Sequence, residues 1–208
     1  MKIFHPLFVL LFLTSNGFGQ KLQEVIKTYE NGNIESITYH KRIGNSISKV
    51  KEEKYYENGQ KKSEQTYKDG KEIERTEWTY WKNGQNKSTE SYKNGMKNGL
   101  WVDWYSNGNK FYEQNYKDGD YDGLFIQYYK NGQKMIEWTY KDGIQNGLGT
   151  EWHENGQLAK KATYKFDSPY GLQTEWYENG QKKKETIYGE RALVISEKEW
   201  NENGSVKE

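Results

Sequence analysis

Few residues of this chain have the types and the spacing that chemistry needs. Past residue 20, histidine occurs only at His40 and His153, and cysteine is absent, so the sequence has no zinc-ligand spacing. No serine sits in a nucleophile elbow, no glycine-rich loop runs into Gly-Lys-Ser/Thr, and no Gly-x-Gly-x-x-Gly follows a strand. Acid pairs such as Glu52-Glu53 lie in Lys/Glu-rich flanks and read as solvated strand faces. One loop, Asp118-Gly119-Asp120-Tyr121-Asp122-Gly123, opens like a calcium loop. Its twelfth position is Tyr129, where such a loop needs a bidentate glutamate. The equivalent loops at 93–98 and 141–146 lack the acids, so the reading is a polar turn. No metal, no cofactor and no enzymatic activity is expected.

Aromatic rings are the remaining candidates: 8 Trp and 18 Tyr. Tyr55, Tyr80, Trp104, Tyr128, Trp152, Trp176 and Trp200 form an always-aromatic column. Beside it runs a second column, Tyr105, Tyr129, His153 and Tyr177, ending in Asn201. Rings repeated this way either stack as a core or stand exposed as a ladder for sugar or choline. Neighbours in a strand point to opposite faces. Trp104, Tyr128, Trp152 and Trp176 are therefore read as structural. The second column admits His and Asn, so Tyr105, Tyr129, His153 and Tyr177 are the partner-binding candidates.

The elements that position these columns follow from the period. Asn-Gly pairs end at Gly32, Gly59, Gly84, Gly108, Gly132, Gly156, Gly180 and Gly204, with steps of 27, 25 and then five of 24. Each pair sits between two aromatic-rich, proline-free runs, as in Gly99–Tyr105 and Lys110–Tyr116. Asn-Gly between such runs predicts a hairpin with a two-residue type I′ turn, so Gly108, Gly132, Gly156 and Gly180 are structural. That turn sets residue 106 opposite 109, Trp104 opposite Phe111, Asp103 opposite Tyr112 and Gly99 opposite Tyr116. The same arithmetic pairs Gly123 with Tyr140, Gly147 with Tyr164 and Gly171 with Tyr188, each ring covering a bare glycine. A three-residue loop with a bulge would shift every pair by one. A polar loop such as Lys117–Asp122 joins one hairpin to the next.

The fold class is thus all-β: an elongated single-layer antiparallel array of hairpins, about 24 residues per repeat. Residues 51–208 form the array and 20–50 an irregular N-terminal repeat or cap. Residues 1–19 read as a signal peptide: Lys2, an apolar run from Ile3 to Leu13, and Gly17-Phe18-Gly19 before a cut at Gln20. The apolar run is too short to span a bilayer as a helix, and a buried N-terminal strand is the alternative. Export to the periplasm, cell surface or medium is expected, with no transmembrane anchor. Without Lys2 the 31 basic residues become 30, equal to the 30 acidic ones. A neutral, mixed surface gives no field for nucleic acid or anionic lipid.

The recurring Tyr-x-Asn-Gly-Gln, Tyr-Lys-Asp-Gly and Gly-Leu-Trp-x-x-Trp-Tyr pattern resembles the bacterial variant of the membrane occupation and recognition nexus (MORN) repeat, over about residues 51–204. It also resembles YwqK-type antitoxins, which are arrays of that variant. The resemblance implies successive antiparallel hairpins and an interaction or scaffold role, with a protein as partner. The antitoxin likeness implies neutralisation of a toxin, as an immunity protein would perform. A carbohydrate or cell-wall binding module using exposed aromatics is the other expectation.

Overall fold

The computed structural model describes residues 9–11 and 22–208. The expected leader and its cut before Gln20 lie outside the described residues, apart from Val9–Leu11. The described residues divide into two compact units: those up to 79 with 89–96, and residues 80–88 with 97–208.

The first unit holds β1 (Val9–Leu11), β2 (Leu22–Thr28), β3 (Ile34–Ile43), β4 (Ser46–Tyr55), β5 (Lys61–Lys68) and β6 (Lys71–Tyr80). Each strand pairs antiparallel with the next. The unit boundary runs through β7 (Asn86–Lys93) and β8 (Met96–Lys97). The second unit continues with β9 (Gly99–Trp104), β10 (Lys110–Lys117), β11 (Asp120–Tyr128), β12 (Lys134–Lys141), β13 (Ile144–Trp152), β14 (Leu158–Lys165), β15 (Ser168–Trp176), β16 (Lys182–Tyr188) and β17 (Val194–Glu199). It too is an antiparallel meander, with one short 3-10 turn at Glu190–Ala192. The expected all-β hairpin repeat is what both units contain. Each sheet is a single layer: among the described residues only Trp101, Val102, Tyr116 and Ala162 are buried apolar side chains.

The turns differ from expectation, and the difference is physical. Gly108 is left-handed, with φ +89°, but Asn107 is not. The Gly108 amide donates to the Tyr105 carbonyl and the Tyr105 amide to the Asn109 carbonyl. That is a type I turn over 105–108 followed by a left-handed glycine, the three-residue loop with a G1 bulge. The same two bonds recur at Tyr29, Tyr56, Trp81, Tyr129, His153 and Tyr177. Type I′ turns occur at the opposite ends of the strands. There both central residues are left-handed: Asp69-Gly70, Asn94-Gly95, Asp118-Gly119, Asp142-Gly143 and Phe166-Asp167. The segment expected as a six-residue polar loop is therefore a two-residue turn, closed by the pair Lys117 and Asp120.

The register is nonetheless as expected away from the turn. Gly99, Gly123, Gly147 and Gly171 face Tyr116, Tyr140, Tyr164 and Tyr188, and Asp103 faces Tyr112. Trp104 faces Lys110, not Phe111. The three-residue loop shifts the first pair by one, and a second bulge at Phe111 restores the count. The ring-over-glycine reading does not hold at Gly123, Gly147 and Gly171. All four glycines have positive φ, and the space above Gly123 and Gly147 is taken by Asn115 and Thr139 of the preceding strand. The Tyr164 ring lies instead over Gly149, where an ideal Cβ would sit 2.8 Å from Cε2.

Candidate interaction face

The two aromatic columns are both half-buried, so burial does not separate Trp104, Tyr128, Trp152 and Trp176 from Tyr105, Tyr129, His153 and Tyr177. Bonding does. The Tyr105 hydroxyl donates to the Tyr128 carbonyl at 3.0 Å, Tyr129 to Trp152 at 2.8 Å and Tyr177 to Trp200 at 2.9 Å. His153 places Nε2 2.9 Å from the Trp176 carbonyl, which requires the proton on that nitrogen. Trp81 does the same with its indole N–H toward Trp104 at 3.0 Å. Each ring thus reaches one repeat ahead and satisfies a backbone carbonyl. This explains a column that admits Tyr, Trp and His: all are flat rings with a donor at the tip. The bulged residue beside each turn then covers the ring, as Phe111 does on Tyr105 at 5.0 Å and Lys183 on Tyr177 at 5.8 Å.

The turn asparagines form a second ladder that the sequence did not announce. Asn107 Oδ1 accepts from the Asn109 amide and holds its own turn, while Nδ2 donates to the Lys130 carbonyl of the next turn at 2.9 Å. Asn131 and Glu154, Asn155 and Glu178, and Asn179 and Glu202 repeat the inter-turn bond. The following Gln lies over the next glycine: an ideal Cβ on Gly156 would meet Gln133 Oε1 at 2.9 Å. Positive φ and this close approach both require glycine there.

Several charges are engaged locally. In the first unit Glu53 is 8% exposed. Burial alone would raise its pKa, but bonds from Lys51, Tyr55 and Lys61 prevail and hold it at about 2. Tyr55 donates to Glu53 at 2.7 Å, and burial together with that carboxylate pushes the phenol well above its usual range. Asp122 of the calcium-like loop pairs with Lys141 at 2.6 Å. Among the described residues no three His, Cys, Asp or Glu side chains converge as a metal site would require.

Exposed apolar surface is organised, and the aromatic-based reading missed it. Leu100, Leu124, Leu148 and Leu172 are 45, 43, 46 and 54% exposed and occupy one position of successive repeats in the second unit. Strand alternation puts them on the face that carries Trp104, Tyr128, Trp152 and Trp176. The signal was present as an identical Leu after every Gly of the 24-residue beat.

Residues 50–69, 97–118, 121–142, 145–166 and 169–189, together just over half of the chain, match the MORN repeat variant family. The chain belongs to that family. The matches at 97–118, 121–142 and 145–166 each begin after one type I′ turn and end at the next, and the last, 169–189, ends before the 3-10 turn, so a MORN unit here is one hairpin around its Asn-Gly loop. The hairpin around Trp81–Gln85 lies outside the matched segments yet keeps the same turn bonds. No curated protein matches the chain. No helix among the described residues is long and apolar enough to cross a membrane.

Proposed function

We propose that this MORN repeat protein is an exported, non-enzymatic binding module that holds another protein on the leucine-bearing face of its second unit. The observation that carries the reading is the row Leu100, Leu124, Leu148 and Leu172, each about half exposed. Lone exposed leucines are ordinary on a protein surface, but here they align on alternate strands, with Asn115, Thr139 and Thr163 between them, and repeat an exposed apolar contact along one face. Half-buried aromatics beside it supply the ring anchors that protein interfaces favour. The aromatic tips of Tyr105, Tyr129, His153 and Tyr177 are bonded to carbonyls within the array. Strand alternation also sets them on the face opposite the leucines, so this column is not where the partner docks. The bonded tips weaken a sugar-binding role, which needs free polar groups beside the ring.

Export rests on Lys2, the apolar run to Leu13 and the small residues before Gln20. Neutralisation of an exported toxin is one form of the same activity and would use the same face. The test is capture from periplasmic and culture fractions with the tagged full-length chain and with a variant carrying Leu100→Ser, Leu124→Ser, Leu148→Ser and Leu172→Ser. A protein retained by the wild type and lost by the folded variant supports the reading. Retention unchanged in the variant, or retention of glycan alone, removes it. Mature protein starting at Gln20 supports export, and an intact Met1 in cytosol refutes it.

A further inference from the structure

The face that carries the leucine row also carries a repeated ion pair. Lys110 bonds Glu113, Lys134 bonds Glu137 and Lys182 bonds Glu185, and Lys61 bonds Glu64 in the first unit. The lysine of this pair lies over a tryptophan further along the chain: Lys134 over Trp152 and Lys182 over Trp200, each 5.7 Å from the ring centroid. One hairpin reverses the pattern. On β14 the lysine position is Leu158 and the glutamate position is Lys161. Trp176 consequently has no cation over its ring among the described residues. Lys161 is exposed, makes no ion pair among the described residues, and has Thr150 and Thr174 as its neighbours on the two flanking strands.

A hollow of about 410 Å³ opens where the pattern reverses. Leu148, Leu172 and Trp176 give it an apolar floor, and Lys161, Thr163 and Thr174 give it a cation with two hydroxyls. Lys182 and Glu185 also line it and are bonded to each other, which leaves the Lys161 ammonium as its unpaired charge. The site therefore offers an unneutralised ammonium next to two half-exposed leucines, where other hairpins place a glutamate bonded to a lysine.

We propose that this hollow is the specificity site of the binding face and takes an extended, acidic segment of a partner protein, with a carboxylate on Lys161 between two apolar side chains on Leu148 and Leu172. The proposal rests on the protein-binding reading and adds its charge requirement. The two leucines stand two strands apart, roughly 9.6 Å. A segment in the polyproline II conformation, with three residues per turn and a rise of about 3.1 Å per residue, covers that distance in about three residues and brings the side chains at i and i+3 to one face. A segment of the form apolar-acid-x-apolar therefore fits.

The test uses the full mature chain with acetyl-Leu-Glu-Ser-Leu-amide and acetyl-Leu-Gln-Ser-Leu-amide as probes, followed by the methyl chemical shifts of Leu148 and Leu172. The double variant Leu158→Lys, Lys161→Glu restores the arrangement of the other hairpins, so its fold is expected to be kept. Lys161→Gln serves as a second variant. The acidic probe should bind at least tenfold more tightly than its amide analogue, and both variants should lose that advantage. Equal binding of the two probes, an unchanged preference in the variants, or no saturable shift overturns the proposal. Equal binding that Leu148→Ser abolishes would do so while leaving the leucine face as the docking surface. Binding that survives Leu148→Ser with Leu172→Ser would overturn the face itself.

Discussion

A tyrosine hydroxyl, an imidazole N–H and an indole N–H occupy one repeat position because each delivers a donor to the same place, a carbonyl one repeat ahead. Tyr177→Phe keeps the ring and deletes only the bond to Trp200. It should cost about 0.5–1.5 kcal/mol in denaturant unfolding, the net worth of one hydrogen bond. His153→Tyr should be neutral or stabilising, since the neighbouring repeats use Tyr. A loss of several kcal/mol from Tyr177→Phe would show that the ladder does more than close carbonyls. Glu53 gives a prediction in pH. Its folded-state pKa, about 2, lies below the ordinary carboxylate value, so its contribution is complete at neutral pH. That contribution fades as pH falls from about 4.5 toward 2. Glu53→Gln should flatten the acid limb of the stability profile over that window. An unchanged limb would mean that the Lys51, Tyr55 and Lys61 bonds do not persist in solution.

Elements are where sequence and structure part company most instructively. The 24-residue beat revealed the hairpins, their strands and even the Gly99 to Tyr116 pairing, because a period repeated five times leaves little freedom in register. Turn type was not legible. Asn-Gly reads as type I′ when a hairpin stands alone, since Asn tolerates left-handed φ. In the array Asn107 is needed for its side chain, which bonds its own turn and the next one together, and a single hairpin cannot reveal that. The two-residue turns fell instead to Asp118-Gly119 and its counterparts. Two variants separate these roles. Gly132→Val should destabilise by about 1–2 kcal/mol or more, because a β-branched residue resists φ +92° and would press on Asn109. Phe166→Asp should stabilise, because a bulky exposed Phe holds φ +51° where the other turns place Asp or Asn. Thermal unfolding reads both. Indifference at Gly132, or loss of stability at Phe166, would contradict the turn assignments.

At the scale of the whole molecule, stability comes from neighbours. Each unit is a single layer with few buried apolar side chains, so adjacent hairpins must supply through ladders and half-buried rings what a two-layer core would otherwise provide. On the proposed reading, the partly open sheet faces make a binding surface available. The leucine row escaped the sequence reading because an isolated exposed Leu carries no signal, and its meaning lies in its alignment across repeats. The most direct measurement of the central claim is site-specific photo-cross-linking in intact cells. A benzophenone amino acid is placed at Leu124 or Leu148 on the leucine face, and at Gln127 or Glu151 on the opposite face. The account predicts a defined protein adduct from 124 and 148 and none from 127 and 151. Adducts confined to 127 and 151, or no protein adduct from any position, would contradict it.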